Sequence, residues 1–297
     1  MADDQKFISD LQSSSADVRF DAWRAAGEVS PAVIPQVGKL ASSPTPGVAK
    51  AAREALTTMT HAVGKDPSAP KRAGVVKGLL ELTGESYTLD VRAHALRLLS
   101  GVAGDDSIPV IVKLLASAEL REEAIYCLER IPSAAAIAAI AAAYASAKEE
   151  FKPRILAALG HRWAAEGVPL CLEAMRSPNV ELALAGLKAY GRIGKKSAVV
   201  PRMPDAKTLT PWQATEYADS LLRFADAQAR TGNAAEAIRL YKTALDRSEE
   251  HYQCAAVIGL AKVGTAEAAA AILPKLKSAN SKVRITAQQA WGAMAKA

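Results

Sequence analysis

The sequence predicts an all-α fold of the α-solenoid class, a right-handed superhelix of stacked helical hairpins, on three observations. Eight stretches share one helical face, beginning at Val18, Val48, Val91, Leu120, Phe151, Val180, Tyr252 and Val283. Small or apolar residues follow at offsets of four and seven: Ala22 and Ala25, Ala52 and Ala55, Ala95 and Leu98, Ala124 and Cys127, Ile155 and Ala158, Leu184 and Leu187, Ala256 and Gly259, Ala287 and Ala290. Offsets of 0, 4 and 7 stack on one side of an α-helix. The starts are separated by 30, 43, 29, 31, 29, 72 and 31 residues, so a period near 30 holds except across two gaps. Finally, half of the residues are hydrophobic while only 5% are aromatic, which favours helices packed at close range over sheet or barrel cores.

Each copy reads as two helices, the second carrying the repeated face. Pro sits near the start of several first helices, in Ile34-Pro35, Ile108-Pro109, Val168-Pro169 and Leu273-Pro274, where a missing N–H and a fixed φ are no handicap. Turn residues separate the two helices: Ser13-Ser14-Ser15, Ser42 to Gly47, Ser177-Pro178-Asn179 and Ser278 to Ser281. About six units fill residues 1–194, with residues 61–77 expected as a surface loop because Gly64, Asp66, Pro67, Pro70 and Gly74 interrupt any helical run. A basic, Pro-containing connector at 195–211 leads to a helix pair at 212–248 that turns at Thr231-Gly232-Asn233, and two further units occupy 249–297. All are expected to stack in one continuous solenoid, since one hairpin cannot bury its own apolar face.

The Gly-Asn turn, Ala237-Ile238, Tyr241 and Ala244-Leu245 resemble a tetratricopeptide repeat. Asp17-Val18-Arg19, Asp90-Val91-Arg92 and Arg192-Ile193-Gly194 resemble HEAT-type repeats, in the short bacterial form of the phycobilisome-lyase type. The pattern departs from that form at Gly47 and Ala49, which replace the acidic and basic flanks, and at Glu181, which reverses a charge. This resemblance implies an armadillo-like fold used by scaffolds, adaptors and a few enzymes. The acid-apolar-basic triplets (Asp17/Arg19, Asp90/Arg92, Glu119/Arg121, Glu150/Lys152) place acids at the positive end of the helix dipole. Their basic members are expected to reach the acid of an adjacent unit, as a ladder along the stack.

Composition narrows function more than it names it. The formal charge of +6 is concentrated between Lys188 and Lys207, where six basic residues face Asp205 alone, leaving about +1 for the rest of the chain. Nucleic acid is therefore not the expected partner. No segment approaches the roughly 20 apolar residues of a membrane span, and the first residues lack the order of a secretory signal, so a soluble cytoplasmic protein without membrane contact is expected. Cys127, Cys171 and Cys254 lack ligand spacing and read as reduced apolar residues. The HEAT-type deoxyhypusine hydroxylases bind iron through His-Glu dipeptides, whereas His61, His94, His161 and His251 are followed by Ala62, Ala95, Arg162 and Tyr252. No metal, cofactor, phosphate loop or catalytic residue is expected.

The sharper signal is at offsets 3, 6 and 10, which point away from the repeated face. His94, Arg97, Tyr126, Arg130, Arg154, His161 and Tyr190 occupy these offsets in the third to sixth copies. The resemblance places second helices on the concave surface, so these side chains are expected to form one strip there, of types that anchor interfaces. A non-enzymatic interaction scaffold for a protein or acidic peptide follows, with Lys195, Lys196 and Arg202 of the connector as the alternative surface. A bilin lyase or a DNA glycosylase-like nucleic-acid-binding protein is the enzymatic alternative.

Overall fold

A computed structural model describes residues 2–194 and 208–295, and no strand occurs among them. The chain divides into two compact units, Met1–Ala143 and Tyr144–Ala297. The first contains α1 (Ala2–Leu11), α2 (Ala16–Arg24), α3 (Ile34–Leu40), α4 (Pro46–Gly64), α5 (Arg72–Leu82), α6 (Leu89–Leu99), α7 (Ile108–Leu114) and α8 (Arg121–Arg130). Helix α9 (Ala134–Ser146) runs across the division. The second contains α10 (Lys152–His161), α11 (Val168–Ala174), α12 (Val180–Ile193), α13 (Pro211–Arg230), α14 (Ala234–Leu245), α15 (Glu250–Val263), α16 (Ala266–Ile272) and α17 (Ser281–Met294). The fold is an all-α solenoid of HEAT-like repeats.

The eight repeated faces lie at the second helices α2, α4, α6, α8, α10, α12, α15 and α17. Most of their 0, 4 and 7 positions are buried, with Ala52, Ala55, Ala95, Ala124, Cys127, Ile155, Ala158, Ala256, Val283 and Ala287 fully so. Small residues at offset 9 likewise let adjacent helices approach closely: a Cβ on Gly160 would stand 3.0 Å from the Cα of Ala189. The exceptions are Val18 and Ala25, both exposed on the first copy, and the half-buried Leu98 and Val180. Pro35, Pro109 and Pro169 stand at the first turns of α3, α7 and α11, as their fixed φ favours. Pro274 instead opens a 3₁₀ segment, Leu273–Lys277, that follows α16.

One expectation needs correction. The loop is confined to residues 65–71: α4 runs on to Gly64, because His61, Ala62 and Val63 continue its helical path, and α5 starts at Arg72. The gap of 43 thus reflects a long α4 of 19 residues and an α5 of 11, compared with seven for α3. Within the second unit, α13 packs against α12 in the manner of consecutive second helices. Lys188 reaches Glu216 at 2.6 Å, Tyr190 meets Phe224, and Gly194 lies beside Ala227 and Arg230, so the two helices run parallel. Tyr217, Leu221 and Phe224 on α13 are buried at offsets 0, 4 and 7, a ninth instance of the same face. It divides the gap of 72 into steps of 37 (180 to 217) and 35 (217 to 252).

Two of the triplet arginines, Arg19 and Arg92, bond within their own unit. Arg19 donates to the carbonyls of Ser13 (2.6 Å) and Ser14 (3.0 Å) and Arg92 to Thr83 (2.9 Å), each closing the turn before its own helix; Arg284, at the same offset of the last copy though outside any such triplet, does likewise to Ser278 (2.6 Å). A guanidinium beside a carbonyl left unpaired at a helix end satisfies it locally, before any neighbouring acid can compete. Contacts between successive units also use the cap residues: Asn179 donates to Glu149 at 2.6 Å, and Asn280 to Glu250 at 2.8 Å. Asparagine caps and ion pairs such as Lys282–Glu250 and Arg97–Glu123 thus both join successive units, and the Glu119 carboxyl, lowered first by the Ser117 hydroxyl and by a backbone hydrogen bond, is lowered further by the charge of Arg92.

One bracing device was missed entirely by the sequence. At the start of α5, Lys71 Nζ donates to the carbonyls of Gly27 (3.2 Å) and Glu28 (2.6 Å), past the end of α2. Arg72 Nη1 donates to Val63 in the last turn of α4 and Nη2 to Val102 beyond α6, both at 2.9 Å. Two adjacent cations thus tie the C-terminal ends of three successive second helices, where the dipole is negative.

Candidate functional surface

The expected strip divides between the two units. In the first, α6 contributes His94 and Arg97, and α8 contributes Tyr126 and Arg130. Apart from the half-buried Leu98, the 0, 4, 7 residues of both helices are committed to the core, which turns the offset 6 and 10 positions outward; Arg97, Tyr126 and Arg130 are exposed. Arg97 lies 3.7 Å from Glu123 of α8, and the Arg130 guanidinium sits 5.6 Å above the Tyr126 ring. Exposed pairs of this kind contribute about 0–1 kcal/mol to stability, so packing of the fold does not require them.

His94 is half-buried, one turn before Arg97. Burial is the main reason its pKa falls below the usual 6.5; its bond to the Arg53 backbone opposes that fall, while the charges of Arg97 and Arg53 add to it and Glu54 opposes it. Its Nε2 is buried without a hydrogen-bond partner. Arg53, exposed on α4, thereby joins the same neighbourhood. It escaped the sequence reading because it stands at offset 5 of its copy, a position held by core residues such as Leu96 and Ile125 elsewhere.

In the second unit Arg154 is half-buried and His161 exposed, both on α10. Tyr190 is a correction: it is 1% exposed, with its ring 5.0 Å from that of Phe224. Helix α12 has second-helix neighbours on both sides, so its offset 10 faces α13 instead of solvent. Tyr190 belongs to the core and leaves the candidate surface. Lys195, Lys196 and Arg202 lie outside the described residues.

The remaining chemistry is sparse. Burial pushes the thiols of Cys127 and Cys171 up to about 12, far from the thiolate that nucleophilic chemistry uses. Cys254 accepts a hydrogen bond from Thr286 at 3.5 Å. Among the described residues, no cluster of three or more His, Cys, Asp and Glu side chains is placed to hold a metal ion. No described helix is long and apolar enough to cross a membrane.

No family model and no curated protein matches the chain. Solved structures do. Kap121p aligns with 99% of this chain at 13% identity and a TM-score of 0.58, and this chain spans 37% of it. Kap95p, from a structure concerned with its binding to RanGDP, aligns with 98% of this chain at 13% identity and a TM-score of 0.52, and this chain spans 43% of it. Human deoxyhypusine hydroxylase aligns at 16% identity over 76% of this chain and 98% of its own, with a TM-score of 0.39. The first two likenesses identify the fold.

Proposed function

We propose that this protein is a non-enzymatic, cytoplasmic interaction scaffold that engages a protein partner through an acidic segment, on the face made by α6 and α8. The observation that carries this reading is the grouping of exposed Arg97, Tyr126 and Arg130 on two packed helices, beside His94 and Arg53. Arg and Tyr supply large contact areas and directional donors, and their exposure leaves them available to a partner. In the same proposal the repeats are of the phycobilisome-lyase HEAT type, α13 and α14 form a tetratricopeptide-like pair, and the second-helix layer is the concave side.

The test is affinity capture from the native cytosol with three forms of the protein. Arg97→Glu combined with Arg130→Glu should weaken capture by about tenfold or more, because attraction is replaced by repulsion. Lys113→Glu, an exposed change on the first helix α7, should leave capture intact. Equal recovery by all three forms with unchanged circular-dichroism melts would place the binding surface elsewhere.

A further inference from the structure

Trp163 is the one non-glycine residue with positive φ among the described residues, at +48°. It terminates α10 in a Schellman turn: its own N–H donates to Gly160 at 3.2 Å and that of Ala164 to Leu159 at 3.0 Å. The residue that leaves the helix in this turn adopts the left-handed conformation, in which a Cβ is strained. At the ends of α12 and α15 the chain uses Gly194 (φ 72°) and Gly264 (φ 71°) for the same purpose. At the end of α10 it uses a tryptophan, and that tryptophan is 73% exposed. Neither burial nor backbone geometry accounts for an indole there.

The edge around it is basic. Each second helix from α10 to α13 has a basic residue in its last turn: His161 on α10, Arg192 on α12 and Arg230 on α13. Their ends lie side by side, since Gly160 abuts Ala189 and a Cβ on Gly194 would come within 3.6 Å of the Arg230 guanidinium. Compensation of the helix dipoles accounts for the basic residues by themselves. It does not account for Trp163, which is an independent observation at the same edge.

We infer that Trp163, His161, Arg192 and Arg230 form a docking ledge for an extended acidic peptide segment whose apolar side chain covers the indole. Charge complementarity selects the occupant. Parallel helices set their terminal basic side chains about 8–10 Å apart, and a segment in the extended polyproline II conformation advances about 3.1 Å per residue with three residues per turn. A carboxylate at every third residue therefore lies on one side of the peptide and meets one basic side chain after another. The exposed Glu166, three residues beyond the indole, opposes a continuous phosphate backbone more than a peptide with spaced charges. The ledge shares with the α6–α8 proposal only the idea of a protein ligand; the residues tested are different.

The probe is a short fluorescein-labelled peptide with glutamate at every third position and a leucine next to the central one, followed by fluorescence anisotropy on the full chain. Trp163→Gly should weaken binding by about five- to tenfold or more, as loss of an aromatic anchor does, yet melt no earlier than the native chain, because glycine fits the turn. Arg192→Glu with Arg230→Glu should weaken binding by about tenfold or more and reverse its salt dependence, since added salt then screens repulsion instead of attraction. Unchanged binding by Trp163→Gly overturns the inference. So does tighter binding of an oligouridylate of equal length, or a dimer in sedimentation that Trp163→Gly dissolves, which would make a second copy the occupant. Loss of binding here while Arg97→Glu/Arg130→Glu still captures normally supports the ledge and strikes the α6–α8 face alone; the converse strikes the ledge alone.

Discussion

Replacing Arg72 by alanine removes two hydrogen bonds from one guanidinium to carbonyls far apart in sequence, Val63 and Val102. A hydrogen bond to a charged group is worth about 1.5–3 kcal/mol. Arg72 is half-buried, so solvent screening places each bond at the low end of that range, and the pair contributes about 3 kcal/mol. Lysine keeps the charge but not the fork, so Arg72→Lys should retain one bond and lose about half as much. Urea unfolding followed by circular dichroism measures the loss. Amide hydrogen exchange should show it concentrated at the ends of α4 and α6, where the freed carbonyls lie. If Arg72→Ala unfolds at the native urea midpoint, or Arg72→Lys loses as much as Arg72→Ala, the two-carbonyl brace is not what joins these ends.

Two further outcomes can be checked directly. A Cβ at position 259 would stand 2.3 Å from the ring of Tyr241, which is 1% exposed and held by a 2.5 Å bond to Asp226. Overpacking of about 1–3 kcal/mol against a helix-propensity gain of about 1 kcal/mol predicts a net loss for Gly259→Ala. The loss should shrink in a Tyr241→Ala background, and a double-mutant cycle without coupling would refute the contact. His94 has a folded pKa below its ordinary 6.5, so the unfolded chain takes up the proton first; stability should decline as pH falls below 6.5, toward the folded pKa, and not above it. His94→Gln should flatten that slope, as urea midpoints across mildly acidic pH would report.

The repeated face was legible because a buried helical stripe has a fixed period, and Ala52, Ala124 and Ile155 obey it wherever a neighbour packs on one side. Tyr190 was misread because the same offsets say nothing of a second neighbour, and Phe224 lies 34 residues away in sequence. The face beginning at Tyr217 was hidden by reading 212–248 as a separate motif, although its own offsets matched. Trp163 gave no signal, since nothing in His161-Arg162-Trp163 marks a left-handed turn that glycine marks elsewhere. Arg72 stood in a segment taken for loop, and hydrogen bonds spanning 30 residues leave no trace in local pattern.

The seating of α13 on α12 has a consequence for chain continuity. Gly191 admits the backbone at Arg223 and Phe224 to within 3.3 Å of where its own Cβ would lie, and Lys188–Glu216 and Tyr190–Phe224 close the joint on either side. Those contacts join residues before 195 to residues after 207 without using the peptide bonds between them. A backbone severed there keeps this interface, so fragments ending and beginning in that stretch are suited to split-reporter complementation: separately made, they should find each other through α12 and α13, and a bulky substitution at Gly191 should keep them apart.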